Sequence, residues 1–263
     1  MNDVADNIYP IYAGGIKYTT LYNQIQYIGS GIDAVIAVDK LVFKEKKLKL
    51  EELAKAMAAD FDGYEDIRLI CRNTSKYGDD SDFSNQHVKK LIEGILSIAE
   101  QEATCNGKKD VLCYNTTIND SNHRWESCTL GATADGRKRN EFLSENISPA
   151  SRIKKGSLTA LLNSAAKLPF DHICCGALNV KVKKSTFKGD NGLELFKNVM
   201  EVFFDEGGMQ TQWSFVDTAE LKEAQLYPEK YRDLLVRVTG YSAIFVDMSK
   251  VAQEEMIIRS EME

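Results

Sequence analysis

Apolar residues recur at helical spacing over 33–43, where Val35, Ile36, Val38, Leu41 and Val42 predict a helix with a broad buried face. Before it, residues 7–31 are rich in Tyr, Gly and Ile without a sustained period, which reads as strands and turns. A charged run over 44–49 leads into a second helix over 50–59, and Gly63 ends it. After the polar turn Lys76-Tyr77-Gly78-Asp79-Asp80-Ser81-Asp82, a longer helix is predicted over 85–102. Residues 106–109, 119–123 and the Gly-punctuated stretch 131–137 read as loops. Further on come a helix over 156–167 and an alternating strand over 176–182. A helix capped by Asn191 carries Leu193, Phe196, Val199, Met200 and Phe203 and stops at Gly207-Gly208. Asp217 and Glu220 resemble a capping box for a helix over 218–226. Two apolar strand-like pieces, 234–238 and 243–246, flank Thr239-Gly240-Tyr241-Ser242, and Ser249 caps a last helix. Strands and helices interleave without an internal repeat, so the class is α/β or α+β.

Composition narrows the function classes. The 263 residues are 43% apolar and 27% charged, ordinary values for a globular chain with a proper core. With 33 basic and 39 acidic residues the formal charge is −6, which argues against nucleic acid or an anionic membrane surface as partner. The first residues, Met1-Asn2-Asp3-Val4-Ala5-Asp6, have neither a basic nor an apolar signal region, and the longest early apolar run, 34–38, is far too short to span a bilayer. The expectation is a cytoplasmic protein. Six cysteines without C-x-x-C spacing are then expected to be reduced.

Several motifs invite chemistry and have blander readings. Gly29-Ser30-Gly31-Ile32-Asp33-Ala34 fits G-x-G-x-x-A, but the preceding 23–28 is too polar for a buried parallel strand, which leaves a tight turn into a helix. Lys154-Lys155-Gly156-Ser157 lacks the first glycine of a phosphate loop, since Ser151 stands there. His87, His123 and His172 form no metal-binding pair, so no metal site is expected. Cys174-Cys175 could be nucleophilic, yet reads better as a buried strand edge between Phe170 and Leu178.

The informative segment is Arg237-Val238-Thr239-Gly240-Tyr241-Ser242-Ala243, preceded by Tyr227-Pro228-Glu229-Lys230-Tyr231. Gly207-Gly208-Met209-Gln210, Val216-Asp217, Ala224-Gln225 and Gln253-Glu254-Glu255-Met256-Ile257-Ile258-Arg259-Ser260 accompany it. Upstream stand Lys76-Tyr77-Gly78-Asp79-Asp80, Ala132-Thr133-Ala134-Asp135-Gly136-Arg137, Ser148-Pro149, and Thr159-Ala160 through Ser164 with Lys167-Leu168. Together, in this order, they resemble the glycyl radical enzymes, the pyruvate formate-lyase-like family, nearest its dehydratase, decarboxylase and lyase branch. The likeness spans nearly the whole chain.

The resemblance implies the later part of a ten-stranded α/β barrel over 1–190 and a C-terminal glycyl radical domain over 191–263. It makes Gly240 the catalytic residue that stores the radical. No bound cofactor or metal is implied; the built-in glycyl radical is installed by a partner activase that uses S-adenosylmethionine and an iron–sulfur cluster. Arg237, Thr239, Tyr241 and Ser242 are implied to shape the loop that the activase recognises. A backbone radical is stabilised by the flanking amide donor and carbonyl acceptor if the centre can flatten, and glycine has no Cβ to oppose that. A glycine that merely turns a hairpin is the bland alternative.

Departures from the family pattern shape the remaining expectations. Relatives carry a thiyl cysteine several hundred residues before the radical glycine, and no position here matches it. Cys174-Cys175 resembles the cysteine pair of pyruvate formate-lyase in letters only. Ala134 stands where relatives have proline, and Gly156-Ser157-Leu158-Thr159 departs from the usual Gly-Pro-Thr. The chain is therefore expected to begin mid-barrel, as a fragment or one piece of a split enzyme, with a complementary N-terminal half carrying the cysteine and most contacts to a small-molecule substrate. Two other readings stand beside it: a non-catalytic spare part that repairs a damaged full-length enzyme, and an inert remnant. As an isolated chain it need not be an enzyme.

Overall fold

The structure is a computed structural model, and it describes residues 2–8, 19–105, 111–118, 127–150, 157–173, 175–183, 185–238 and 242–260. After a short helix α1 (Asn2–Asn7), strand β1 (Thr19–Gln24) leads to helix α2 (Ile28–Val38). Residues 28–31 are thus helical rather than strand or turn. The cause is packing: a Cβ on Gly29 would lie 2.7 Å from the Ser148 carbonyl oxygen, so glycine lets α2 press against the buried segment 143–150. Ser30 and Ser144 lock that contact by reciprocal backbone–hydroxyl bonds of 3.0 and 2.8 Å. The G-x-G-x-x-A letters therefore mark a close helix–chain approach, not a turn.

Helix α2 widens into a π-helical turn (Asp39–Lys44), followed by α3 (Leu50–Ala58), α4 (Glu65–Arg72) and the long α5 (Asp82–Cys105). Then come β2 (Val111–Ile118), α6 (Leu158–Ala166), β3 (Cys175–Gly176) and β4 (Leu178–Lys183). Ser157 caps α6 by accepting the Ala160 amide. Helix α7 (Gly192–Asp205) starts without a side-chain cap from Asn191, contrary to expectation, and Gly207 ends it at φ 103°, where the Gly208 amide reaches the Phe203 carbonyl. Strand β5 (Thr211–Val216) and helix α8 (Thr218–Leu226) follow, with Asp217 accepting the Ala219 amide at 3.0 Å as predicted. The chain closes with β6 (Leu235–Arg237), β7 (Ser242–Ile244), a 3₁₀ turn (Phe245–Asp247) where strand was expected, and α9 (Lys250–Ser260).

Strands β1, β2 and β3 pair in parallel in that order, β4 and β5 pair in parallel, and β6 and β7 form an antiparallel hairpin. Parallel pairing with helical crossovers makes the class α/β. The largest core lies where Leu178, Val180 and Val182 of β4 meet Ile32 and Ile36 of α2, Val88 and Ile92 of α5, Leu162 of α6 and Phe203 of α7. A second core joins α3, α4 and the end of α2 through Leu53, Phe61, Ile67 and Cys71. A third is confined to the C-terminal elements: Leu221, Ala224, Val236, Phe245, Met256 and Ile257. No helix among the described residues is long and apolar enough to cross a membrane.

Candidate functional site

The third core carries the β6–β7 hairpin. Alternation does the work: Val236 is 3% exposed and points into that core, while Leu235 and Arg237 face outward. Leu235 pairs with Ile244, Val236 with Ala243 and Arg237 with Ser242, so the last pair brackets the four residues 238–241. Arg237 donates from Nη1 to Ser242 Oγ at 3.4 Å across the neck. The expected Thr239, Gly240 and Tyr241 lie outside the described residues, as do Cys174 and His123.

Behind the hairpin the support is dense. The Phe245 amide returns to the Leu234 carbonyl at 2.8 Å. Gln253 of α9, 7% exposed, donates from Nε2 to the carbonyls of Phe245 at 2.9 Å, Met248 at 3.2 Å and Val246 at 3.4 Å. Thr218 and Ser260 share a hydroxyl contact of 2.9 Å that ties the start of α8 to the end of α9. The Tyr231 phenol is pushed up by its hydrogen bond to the Glu223 carboxylate. The sequence marks Gln253 only as a polar residue on the apolar side of the last helix, beside the buried Met256 and Ile257.

The other motifs belong to the scaffold. Asp33 accepts the Tyr77 amide at 2.8 Å, and the fully buried Tyr77 donates its hydroxyl to the Ile147 carbonyl at 2.8 Å. Asp79 caps the turn into α5, accepting from Lys76, Ser81 and Ser84. Asp80 joins α5 to α6 by accepting from Asn85, Asn163 and Lys167. Arg137, fully buried, donates to the carbonyls of Leu130, Gly131, Lys138 and Glu141.

Burial pushes the Cys71 thiol up to about 11, which leaves it unreactive near neutrality. Cys175 lies on β3 and is exposed, not part of a buried strand edge as expected. His87 places Nδ1 2.7 Å from the Phe83 carbonyl and Nε2 2.9 Å from Asp39. Among the described residues no three His, Cys, Asp or Glu side chains come together to hold a metal ion.

Residues 143–246 match the family model described as "Glycine radical", and residues 1–120 match "Pyruvate formate lyase-like". The chain is 34% identical to trans-4-hydroxy-L-proline dehydratase of Clostridioides difficile over 94% of its own length and 31% of that protein. It is 29% identical to isethionate sulfite-lyase of Bilophila wadsworthia, covering 91% of this chain and 29% of the relative. Among solved structures, the glycerol-bound B12-independent glycerol dehydratase of Clostridium butyricum superposes with a TM-score of 0.84 at 30% identity, over 98% of this chain and 33% of the other. The chain thus spans about a third of the length of the curated relatives it matches.

Proposed function

This chain belongs to the glycyl radical enzymes, and we propose that it is the portion of such an enzyme that stores the radical on Gly240 between turnovers. The observation that carries the reading is the hairpin register: Arg237 and Ser242 pair as the last rung of β6–β7, which rests on its own core, and Gly240 lies between them in sequence. A residue without a Cβ suits a planar Cα radical.

In this proposal a partner activase, which would use S-adenosylmethionine and an iron–sulfur cluster, takes one hydrogen atom from Gly240 Cα and leaves the radical there. Gly240 then takes a hydrogen atom from a cysteine thiol: the S–H bond breaks, the Cα–H bond re-forms, and a thiyl radical is left to attack substrate. That cysteine lies outside these 263 residues, in a complementary segment. Residues 1–190 contribute the later barrel and 191–263 the radical domain. Arg237, Thr239, Tyr241 and Ser242 shape the loop for the activase. The reaction is a dehydration, decarboxylation, lyase or formate acetyltransferase step on a small molecule, in the cytoplasm.

Anoxic activation of the chain, co-expressed with a complementary cysteine-bearing half and an activase, is the test. Electron paramagnetic resonance should show a doublet from the single α-hydrogen, and Gly240→Ala should abolish it. A doublet that survives the substitution places the radical elsewhere. Turnover by the 263-residue chain without the complementary half would refute the external cysteine.

A further inference from the structure

Helix α2 spaces its buried Ile28, Ile32 and Ile36 four apart and then breaks step, because the next, Leu41, comes after five. The π-helical turn over Asp39–Lys44 supplies the extra residue. An uninterrupted α-helix would put residue 43, seven after Ile36, on the buried stripe. Instead Phe43 is 60% exposed. It opens the run Phe43-Lys44-Glu45-Lys46-Lys47-Leu48-Lys49-Leu50, and residues 40–49 hold five lysines against one glutamate. Lys40 donates to Ser75 Oγ at 3.0 Å, and Lys44 lies over the Phe83 ring and 3.2 Å from Asp39, which His87 also reaches. Glu45 pairs with Lys47 at 2.7 Å, and Glu51 and Glu52 stand in the first turn of α3, where the helix end favours acids. Lys46 and Lys49 remain exposed in the same short segment as Phe43 and the exposed Leu50.

Helix α7 presents the opposite chemistry. Its inward stripe, Phe196, Val199 and Phe203, packs in the largest core. On the reverse side the 3.6-residue period lines up Glu194, Glu201 and Asp205 at i, i+7 and i+11. Leu195 and Val202 flank this acidic ridge on one side, Leu193 and Phe204 on the other. Leu193 is 81% exposed and the other three are about half exposed. A helix apolar on both flanks of its outer face is one that another surface covers. Lys197 offsets part of Glu201, 3.3 Å away, yet residues 188–206 hold five acidic residues against two lysines.

We propose that these two surfaces bind each other between copies of this chain. Phe43 and Leu50 of one copy cover the apolar flanks of α7 on the next, and Lys46 and Lys49 meet Glu194, Glu201 and Asp205. The two surfaces differ, so the contact is head to tail and builds rings or open chains rather than a two-fold dimer. It uses no residue of the radical loop and goes beyond the radical-storage reading.

Sedimentation equilibrium of the full chain tests this. The unsubstituted chain should self-associate, and more weakly as salt is raised from about 50 to 300 mM, because the screening length shortens over that range. Reversing the basic surface (Lys46→Glu with Lys49→Glu) or the acidic one (Glu201→Lys with Asp205→Lys) should each weaken self-association at least about tenfold. Mixed in equal amounts, the two variants should associate as the parent does, since each offers the other a surface of opposite charge. Phe43→Ser, which alters no charge, should weaken self-association about tenfold. All five positions are exposed, so thermal unfolding should stay unchanged. A parent chain that is monomeric at every concentration, or a mixture no tighter than either variant alone, would overturn the proposal. So would association that survives both reversals, the result expected if the apolar flanks of α7 await a different segment.

Discussion

Gln253 is the residue on which the hairpin's support should depend most. Replacing it with Met keeps length and apolar bulk while removing both N–H donors. An amide has only two N–H groups, so the contacts to Phe245 at 2.9 Å and Met248 at 3.2 Å are the two real bonds, and Val246 at 3.4 Å shares one of them. Each lost bond removes about 1 kcal/mol, and a buried carbonyl left unpaired adds about 1–3 kcal/mol. Two bonds and one unpaired carbonyl total about 3–5 kcal/mol, concentrated in the third core. That should raise local opening roughly 100- to 4,000-fold, since about 1.4 kcal/mol is a factor of ten. Hydrogen exchange read by mass spectrometry should show faster exchange over 234–257 and unchanged protection in α2 and α5. Gln253→Glu should be worse than Met at neutral pH, because it aims a charge at carbonyl oxygens. Unchanged exchange over 234–257, or equal acceleration throughout the chain, would refute the reasoning.

Two further perturbations probe the scaffold. Burial raises the Asp80 carboxyl, but hydrogen bonds from Lys167, Asn163 and Asn85 outweigh it and hold it below the ordinary 3.8. Its stabilisation is therefore full above that value and disappears as pH falls through the lower folded value. Asp80→Asn should cost about 1–3 kcal/mol at pH 7 and almost nothing at the acid end, a flattening visible in denaturant midpoints against pH. Gly29→Ala would put a methyl 2.7 Å from the Ser148 carbonyl oxygen and should cost about 1–3 kcal/mol, seen as a lower melting temperature.

Helices were the legible part of this fold, because three or four apolar residues at 3.6 spacing with a cap leave few alternatives. The bounds over 50–59 and 218–226 match α3 and α8 to within a residue. Helix α4 is hard to read from periodicity although Glu65 and Asp66 open it, Arg72 closes it and Ile67 and Cys71 recur at i, i+4, because eight residues make barely two turns. Strand β5 alternates Thr211, Trp213 and Phe215 with Gln212, Ser214 and Val216, a signal present but short. Strand β2 reads Val-Leu-Cys-Tyr-Asn-Thr-Thr-Ile and lies between two parallel neighbours, so alternation was never required of it.

The site divides differently. The Arg237–Ala243 motif marks the loop by its letters, but nothing local in those letters reveals that Gln253, sixteen residues beyond Arg237, holds the hairpin's exit. That support is tertiary, set by how α9 packs on the turn after β7. The converse holds for Arg137, whose charge and place in a Gly-punctuated motif invite a binding role. Its guanidinium is spent on four backbone carbonyls, from Leu130 to Glu141. A buried cation surrounded by its own chain's acceptors organises a loop and leaves little donor capacity for a ligand. Asp79 and Asp80 are occupied in the same manner. Charged residues in a shared motif therefore divide by their partners: those satisfied by backbone and neighbouring helices build the frame, and an exposed neck such as Arg237–Ser242 is left facing outward.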